Sequence, residues 1–135
     1  KKLTIINDSK ATTFSSSAGL LKSLTNVYWI VGGQAKKGDR LLLSKKDCKN
    51  IKAYIFGTNK KFFTSKLKKL MKYEYFLDLE SLVKNLSLEI KLDKNTTNKT
   101  ILFSPSAASF DNFKNFEKRG EYFNQLIKKN INVQF

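Results

Sequence analysis

The run Val27-Tyr28-Trp29-Ile30-Val31, closed by Gly32-Gly33, constrains the fold more than any other stretch. A strand with one wet face alternates apolar and polar residues; this one is apolar throughout, so both of its faces need cover. A parallel sheet with helices on each side provides that cover. Other segments fit the same frame. Leu3 to Ile6 reads as a strand stopping at Asn7-Asp8, Ile51 to Phe56 as one ending at Gly57, Tyr73 to Phe76 as a short one, and Thr100 to Phe103 as another. Ile131 to Phe135 is a candidate edge strand.

Helical patterns fall between them. Ala18 to Leu24 follows a hydroxyl-rich loop at Ser9 to Ser17, and a short helix is expected around Leu41 to Asp47. Lys61 to Met71 carries Phe62, Phe63, Leu67 and Leu70 at helical spacing, and Leu79 to Leu88 has Asp78 available as its N-cap. A last helix runs on to Lys129, with Asp111 and Asn112 as candidate caps and Phe113 and Phe123 read as core. Strands alternating with helices predict an α/β, Rossmann-like three-layer domain. Its sheet is mostly parallel, of about six strands with helices on both faces, and forms a single domain over residues 1–135.

The net charge of +15 raises nucleic-acid binding as a reading. Only Arg40 and Arg119 are arginine, however, which leaves 24 of the 26 basic residues as scattered lysines. Readers of phosphates and bases lean on arginine, so no nucleic-acid partner is expected. Such a lysine bias suits a genome poor in G and C. A basic nucleic-acid-binding module stays open as an alternative, and it would show steep salt dependence. His is absent and Cys48 is the one cysteine, which argues against a zinc site and a disulfide framework. No apolar run nears the roughly 18 residues of a membrane span, and no signal-peptide pattern opens the sequence. A cytoplasmic monomer without a membrane partner is the expectation.

Three loops following strand ends carry unusual residues: Asn7-Asp8-Ser9-Lys10-Ala11-Thr12, Gly32-Gly33-Gln34-Ala35-Lys36, and Ser104 to Phe116. In a parallel sheet they open on one edge, where this fold class places its ligands. Lys10 and Lys36 offer point charges, Thr12 and Ser109 hydroxyl donors, and the start of the last helix backbone N–H groups, all suited to an anion. The phosphate-loop pattern is missing, as are a Ser/His/Asp set, paired catalytic carboxylates and a metal cluster. The residues themselves therefore indicate an anion-binding α/β domain of a larger enzyme.

In order along the chain stand Asn7-Asp8-Ser9-Lys10-Ala11-Thr12, Gly32-Gly33 with Lys36, Ser104-Pro105 through Ala108-Ser109-Phe110-Asp111, and Phe113-Lys114-Asn115-Phe116-Glu117 with Arg119-Gly120. Together they resemble the C-terminal domain of the D-glutamate-adding ligases of the Mur ligase family, over nearly the whole chain. The resemblance implies a three-domain enzyme of cytoplasmic bacterial peptidoglycan synthesis. One domain holds UDP-N-acetylmuramoyl-L-alanine, a central one ATP and Mg2+, and the C-terminal one D-glutamate. ATP phosphorylates the substrate carboxylate, and the D-glutamate amine attacks the acyl phosphate through a tetrahedral intermediate.

By the same resemblance Thr12, Lys36, Ser109 and Phe116 contact D-glutamate, Phe116 through its backbone. Lys10 meets the phosphate and the developing charge as the catalytic residue, and both Asp8 and Lys10 approach the nucleotide. Two positions depart from the family: Ala35 stands where an acidic residue often precedes the lysine, and Ser106 where Cys is common, with little consequence expected. The substrate and ATP-binding domains lie outside these residues, so the fragment alone is expected to be inactive and to bind no cofactor of its own. A folylpolyglutamate synthase-like ligase of the same superfamily is the other enzymatic reading. Arg119 is left between pairing with Glu117 and meeting a neighbouring domain.

Overall fold

The computed structural model describes residues 2–95, 97–109 and 113–131. Along the chain run β1 (Leu3–Asn7), α1 (Phe14–Ser23), β2 (Val27–Gly32), β3 (Ile51–Phe56), α2 (Lys60–Leu67), β4 (Lys72–Phe76), α3 (Leu79–Leu92), β5 (Lys99–Phe103) and α4 (Phe116–Asn130). The strands form one sheet in the order β1-β5-β2-β3-β4, and every pairing is parallel. All six residues of β2 are buried, as its unbroken apolar run requires. Trp29 and Val31 face a core built with Phe14 and Leu21 of α1, Phe63 and Leu67 of α2, and Leu43 and Cys48 of the β2–β3 connection. Tyr28 and Ile30 face the opposite core, filled by Leu82, Val83 and Leu86 of α3 and Phe123, Leu126 and Ile127 of α4. The three-layer expectation holds.

Several local expectations do not. Among the described residues there are five strands rather than about six. Ile131 only caps α4, and residues 132–135 of the proposed edge strand lie outside the described residues. The segment Leu41 to Asp47 is not helical. Ser44 and Asp47 bond each other's backbone N–H at 2.9 and 3.1 Å, and tight turns closed by Cys48, Lys49 and Ile51 N–H groups carry the chain into β3. α1 starts earlier than expected because Thr13 serves as its N-cap, accepting from the Ser16 N–H at 3.3 Å. Half of the hydroxyl-rich stretch is thus helix. α3 is capped by Asp78 as expected, but α4 is capped by Asn115, which accepts from the Lys118 N–H at 2.8 Å. Asp111 and Asn112 lie outside the described residues. Phe123 stacks on Phe103 in the core, whereas Phe113 is only half-buried, 5.6 Å from the Tyr122 ring.

One topological fact positions the site. β5 is inserted between β1 and β2, and its helix α4 packs on the opposite face of the sheet from α1, which follows β1. The chain therefore diverges at the carboxyl ends of two adjacent strands, leaving room there for a ligand.

Candidate functional site

The loops after β1, β2 and β5 meet as expected, and backbone bonds weld them together. Asp8 N–H donates to Phe103 O at 2.7 Å, Gly32 N–H to Pro105 O at 3.0 Å, and Ser106 N–H to Ala11 O at 3.0 Å. Gln34 and Ala108 exchange a reciprocal pair at 2.9 and 3.1 Å. Gly33 permits this approach to the β5 loop, while Gly32, just before it, permits the close approach of β3. Gly32 has φ 149° and a Cβ there would lie 2.0 Å from Phe56 O; Gly33 has φ 127° and its Cβ would lie 2.8 Å from Ala108 O.

Beneath the loops lies a buried polar network. The Ser104 hydroxyl donates to Asp8 Oδ2 at 2.8 Å and lies 2.5 Å from Ser17 Oγ, which in turn lies 2.6 Å from Ser106 Oγ. Trp29 Nε1–H donates to Ser104 O at 2.8 Å. Ser106 adopts φ 59°, an uncommon conformation for a residue with a Cβ. Its hydroxyl bridges Ser17 of α1 and the Ser104 carbonyl of the β5 loop. Arg119, the residue left open above, is fully buried. Its Nε donates to Ser9 Oγ at 3.1 Å, Nη2 to Ser9 O at 2.6 Å and Nη1 to Ala107 O at 2.7 Å. Ser9 Oγ donates onward to Phe116 O at 2.7 Å.

These bonds divide the polar groups at the edge into two kinds. Asp8, Ser9, Ser17, Ser104, Ser106 and Arg119 are bonded to the protein. The side chains of Lys10, Thr12, Lys36 and Ser109 make no hydrogen bond or ion pair among the described residues. Lys10 and Lys36 are exposed, Thr12 is half-buried, and Ser109 is buried with its carbonyl accepting from Phe113 N–H at 2.8 Å. Lys10 and Phe116 share the lining of a shallow depression of about 340 Å³ together with Ser9, Gly120 and Glu121. Ala11 and Ser106 bring Thr12 next to the β5 loop, and the Gln34–Ala108 pair does the same for the stem of the Lys36 loop. That loop is also tied to the start of α2, since Ala35 N–H donates to Asn59 Oδ1 at 2.8 Å. No hydrogen bond joins Lys36 to Lys10 or Ser109 among the described residues. Sequence reasoning missed Ser17, Trp29 and Asn59, whose types at those positions carry no sequence signal of a loop partner.

A larger concavity of about 1390 Å³ lies at the opposite, amino edge, bordered by Tyr28, Tyr54, Lys52, Glu74 and Glu89. Its floor is an internal ion-pair network: Lys52 sits 2.8 Å from Glu89 and 3.3 Å from Glu74, and Lys99 3.1 Å from Asp93. The Tyr54 hydroxyl donates to Glu89, and burial followed by that carboxylate pushes its pKa up. Burial pulls the Lys52 ammonium down, yet Glu89 and Glu74 leave its pKa raised overall. The candidate site lies at the carboxyl edge, where unbonded Lys10, Thr12, Lys36 and Ser109 stand beside the N-terminus of α4.

What fold and site define together is a parallel α/β domain with an anion-suited pocket at the carboxyl ends of its strands. No protein-family model matches the chain. Individual relatives do. The chain is 40% identical over 124 residues to the UDP-N-acetylmuramoylalanine–D-glutamate ligase of Wolbachia sp. subsp. Brugia malayi, which is 92% of this chain and 24% of that ligase. It is 37% identical over 123 residues to the ligase of the same name from Rickettsia felis, 91% of this chain and 27% of that protein. For the Bartonella henselae ligase the identity is 39% over 122 residues, 90% of this chain and 26% of that protein. Over nine-tenths of its length, then, the chain is a homologue of UDP-N-acetylmuramoylalanine–D-glutamate ligases, and it spans about a quarter of their length.

Proposed function

We propose that the chain is the C-terminal, D-glutamate-binding domain of an ATP-dependent ligase that joins D-glutamate to UDP-N-acetylmuramoyl-L-alanine in cytoplasmic peptidoglycan synthesis. One observation carries this reading. The positions that the family resemblance assigns to the substrate and to charge stabilisation, Lys10, Thr12, Lys36 and Ser109, are side chains that the fold leaves unbonded at one sheet edge. Their neighbours are consumed in holding that edge together.

D-Glutamate is a dicarboxylate with a nucleophilic amine, so its site needs a cation and hydroxyl donors for the carboxylates and must leave the amine free. Lys36, Thr12 and Ser109 meet the first requirement, and the backbone at the α4 N-terminus, around Phe116, adds the positive end of a helix dipole. Lys10 opposes the negative charge that grows as the amine attacks. A cation held there in the closed enzyme stabilises the transition state more than the ground state. Asp8 keeps one carboxylate oxygen on Ser104 and leaves the other for a ribose hydroxyl.

ATP supplies the phosphoryl group that activates the substrate carboxylate. Among the described residues no group of three His, Cys, Asp or Glu side chains is placed to hold a metal ion. By the family resemblance the central domain mainly holds ATP and Mg2+, and domain closure that brings Lys10 onto the acyl phosphate is a condition of turnover. The test uses the intact enzyme with ATP and UDP-N-acetylmuramoyl-L-alanine, comparing phosphate release with D-glutamate, L-glutamate and other amino acids. D-Glutamate should be preferred. Preference for an L-amino acid, or no stimulation by D-glutamate, would overturn the reading.

A further inference from the structure

We propose that Arg119 and Ser9 are positioning residues that lock the Lys10 loop to the Ala107–Ser109 segment and to the start of α4, so that the charge-stabilising and amino-acid-binding halves of the pocket are set by one joint. This rests on the function proposed above and extends it to residues that contact no substrate. Ser9 stands between Asp8 and Lys10 in sequence. Its carbonyl accepts from Arg119 Nη2 at 2.6 Å, and its hydroxyl accepts from Nε at 3.1 Å while donating to Phe116 O at 2.7 Å. The third arm of the guanidinium, Nη1, holds Ala107 O at 2.7 Å, two residues before Ser109. One side chain thus spans the loop after β1, the loop after β5 and the first turn of α4.

Lysine at position 119 cannot reproduce that geometry. Its ammonium is a single point, whereas the fork directs three N–H vectors in one plane at fixed angles. Packing around the joint is equally demanding. A Cβ at Gly120 would lie only 3.1 Å from Ser9 Cβ, whereas one at Gly33 would make ordinary contact with Arg119 Nη1 at 3.5 Å. The buried guanidinium is therefore fixed in place, and so is the backbone from which Lys10 projects.

The test is steady-state kinetics of Ser9→Ala and Arg119→Lys in the intact ligase, beside their thermal unfolding. Ser9→Ala removes one hydroxyl and keeps the backbone acceptor, so it should fold and decides the case if Arg119→Lys does not. We expect the KM for D-glutamate to rise about fivefold or more in Ser9→Ala, the scale of one or two lost hydrogen bonds, with kcat reduced. The KM for the UDP-linked substrate should stay within about twofold. A purely structural role would lower the melting temperature and the active fraction while leaving the D-glutamate KM unchanged, and that result would overturn the proposal. Wild-type enzyme that fails to ligate D-glutamate at all would instead refute the function on which it rests.

Discussion

Two serines in one loop allow the division between spent and unspent polar groups to be tested directly. Ser104 and Ser109 are both buried, at 0% and 3% exposure, and Ser→Ala removes the same single oxygen from each. Ser104 donates to the Asp8 carboxylate at 2.8 Å and sits 2.5 Å from Ser17 Oγ. Losing a bond to a charged acceptor costs about 1.5–3 kcal/mol and a neutral one about 0.5–1.5, so Ser104→Ala should cost roughly 2–4 kcal/mol. That is a large share of the roughly 5–15 kcal/mol that holds a domain folded. Ser109 makes no side-chain bond among the described residues, so Ser109→Ala should shift stability by less than about 0.5 kcal/mol. If its hydroxyl binds a D-glutamate carboxylate, however, the KM of the intact ligase should rise about tenfold or more. Urea unfolding and D-glutamate titration of kinetics measure the two effects. A Ser109→Ala protein destabilised by more than about 1 kcal/mol with its KM intact would refute the reasoning, as would a Ser104→Ala protein of wild-type stability.

Gly32→Ala should unfold the domain at ambient temperature or nearly so, because its Cβ would overlap the Phe56 carbonyl at 2.0 Å with φ at 149°; wild-type circular dichroism and melting would contradict this. Cys48 is buried, and burial, then Asp47, pushes its thiol up to about 11, so native protein at pH 8 should resist alkylation that proceeds readily in denaturant. Fast native labelling would show that the β2–β3 connection opens. The Asp78 carboxyl is held below its usual range by the Ser81 N–H it caps. Its folded pKa is depressed, so its contribution is present above the unfolded value of about 3.9 and fades as pH falls through the folded one. Asp78→Asn should therefore match wild type near pH 7 and lose less stability between about pH 4 and 2, as followed by acid titration of the fold; an unchanged acid profile counts against that linkage.

The sheet was legible because its strands are apolar runs with clear ends, and β2 in particular admits no one-sided environment. What escaped the sequence was governed by tertiary partners. Leu41 to Asp47 has helix-compatible residues, but the Ser44–Asp47 exchange and the burial of Leu43 and Cys48 favour turns. Ser15 to Ser17 looks like loop until Thr13 caps the turn and Phe14 and Leu21 are seen to reach the core. The carboxyl-edge loops were recognisable from their residue types. The burial of Arg119 was not, since an arginine preceded by Glu117 and Lys118 gives no sign of it. Binding residues are types suited to a ligand, whereas positioning residues are ordinary types whose meaning depends on what folds against them.

The lysine excess raises the question of why an anion should select one edge of a protein carrying a net charge of +15. In a parallel α/β sheet the helices run against the strands, so their C-termini gather at the amino edge and their N-termini at the carboxyl edge. Lys22, Lys66, Lys91, Lys128 and Lys129 all lie in last helical turns, where the negative ends of the helix dipoles offset them. At the same edge Lys52 and Lys99 are spent on Glu74, Glu89 and Asp93. Lys45, Lys46, Lys49, Lys68, Lys69 and Lys72 line the concavity there without an ion pair among the described residues, so helix polarity rather than lysine number distinguishes the two edges. At the carboxyl edge the start of α4 is a positive pole beside the Lys10 loop, and Lys10 and Lys36 have no ion pair among the described residues. Cation and dipole reinforce each other there and oppose each other at the amino edge. Lys36→Gln should thus raise the D-glutamate KM of the intact ligase about tenfold, while Lys128→Gln and Lys129→Gln, identical in net charge, leave it unchanged. Equal effects from all three would mean that bulk charge, not local geometry, draws the substrate in.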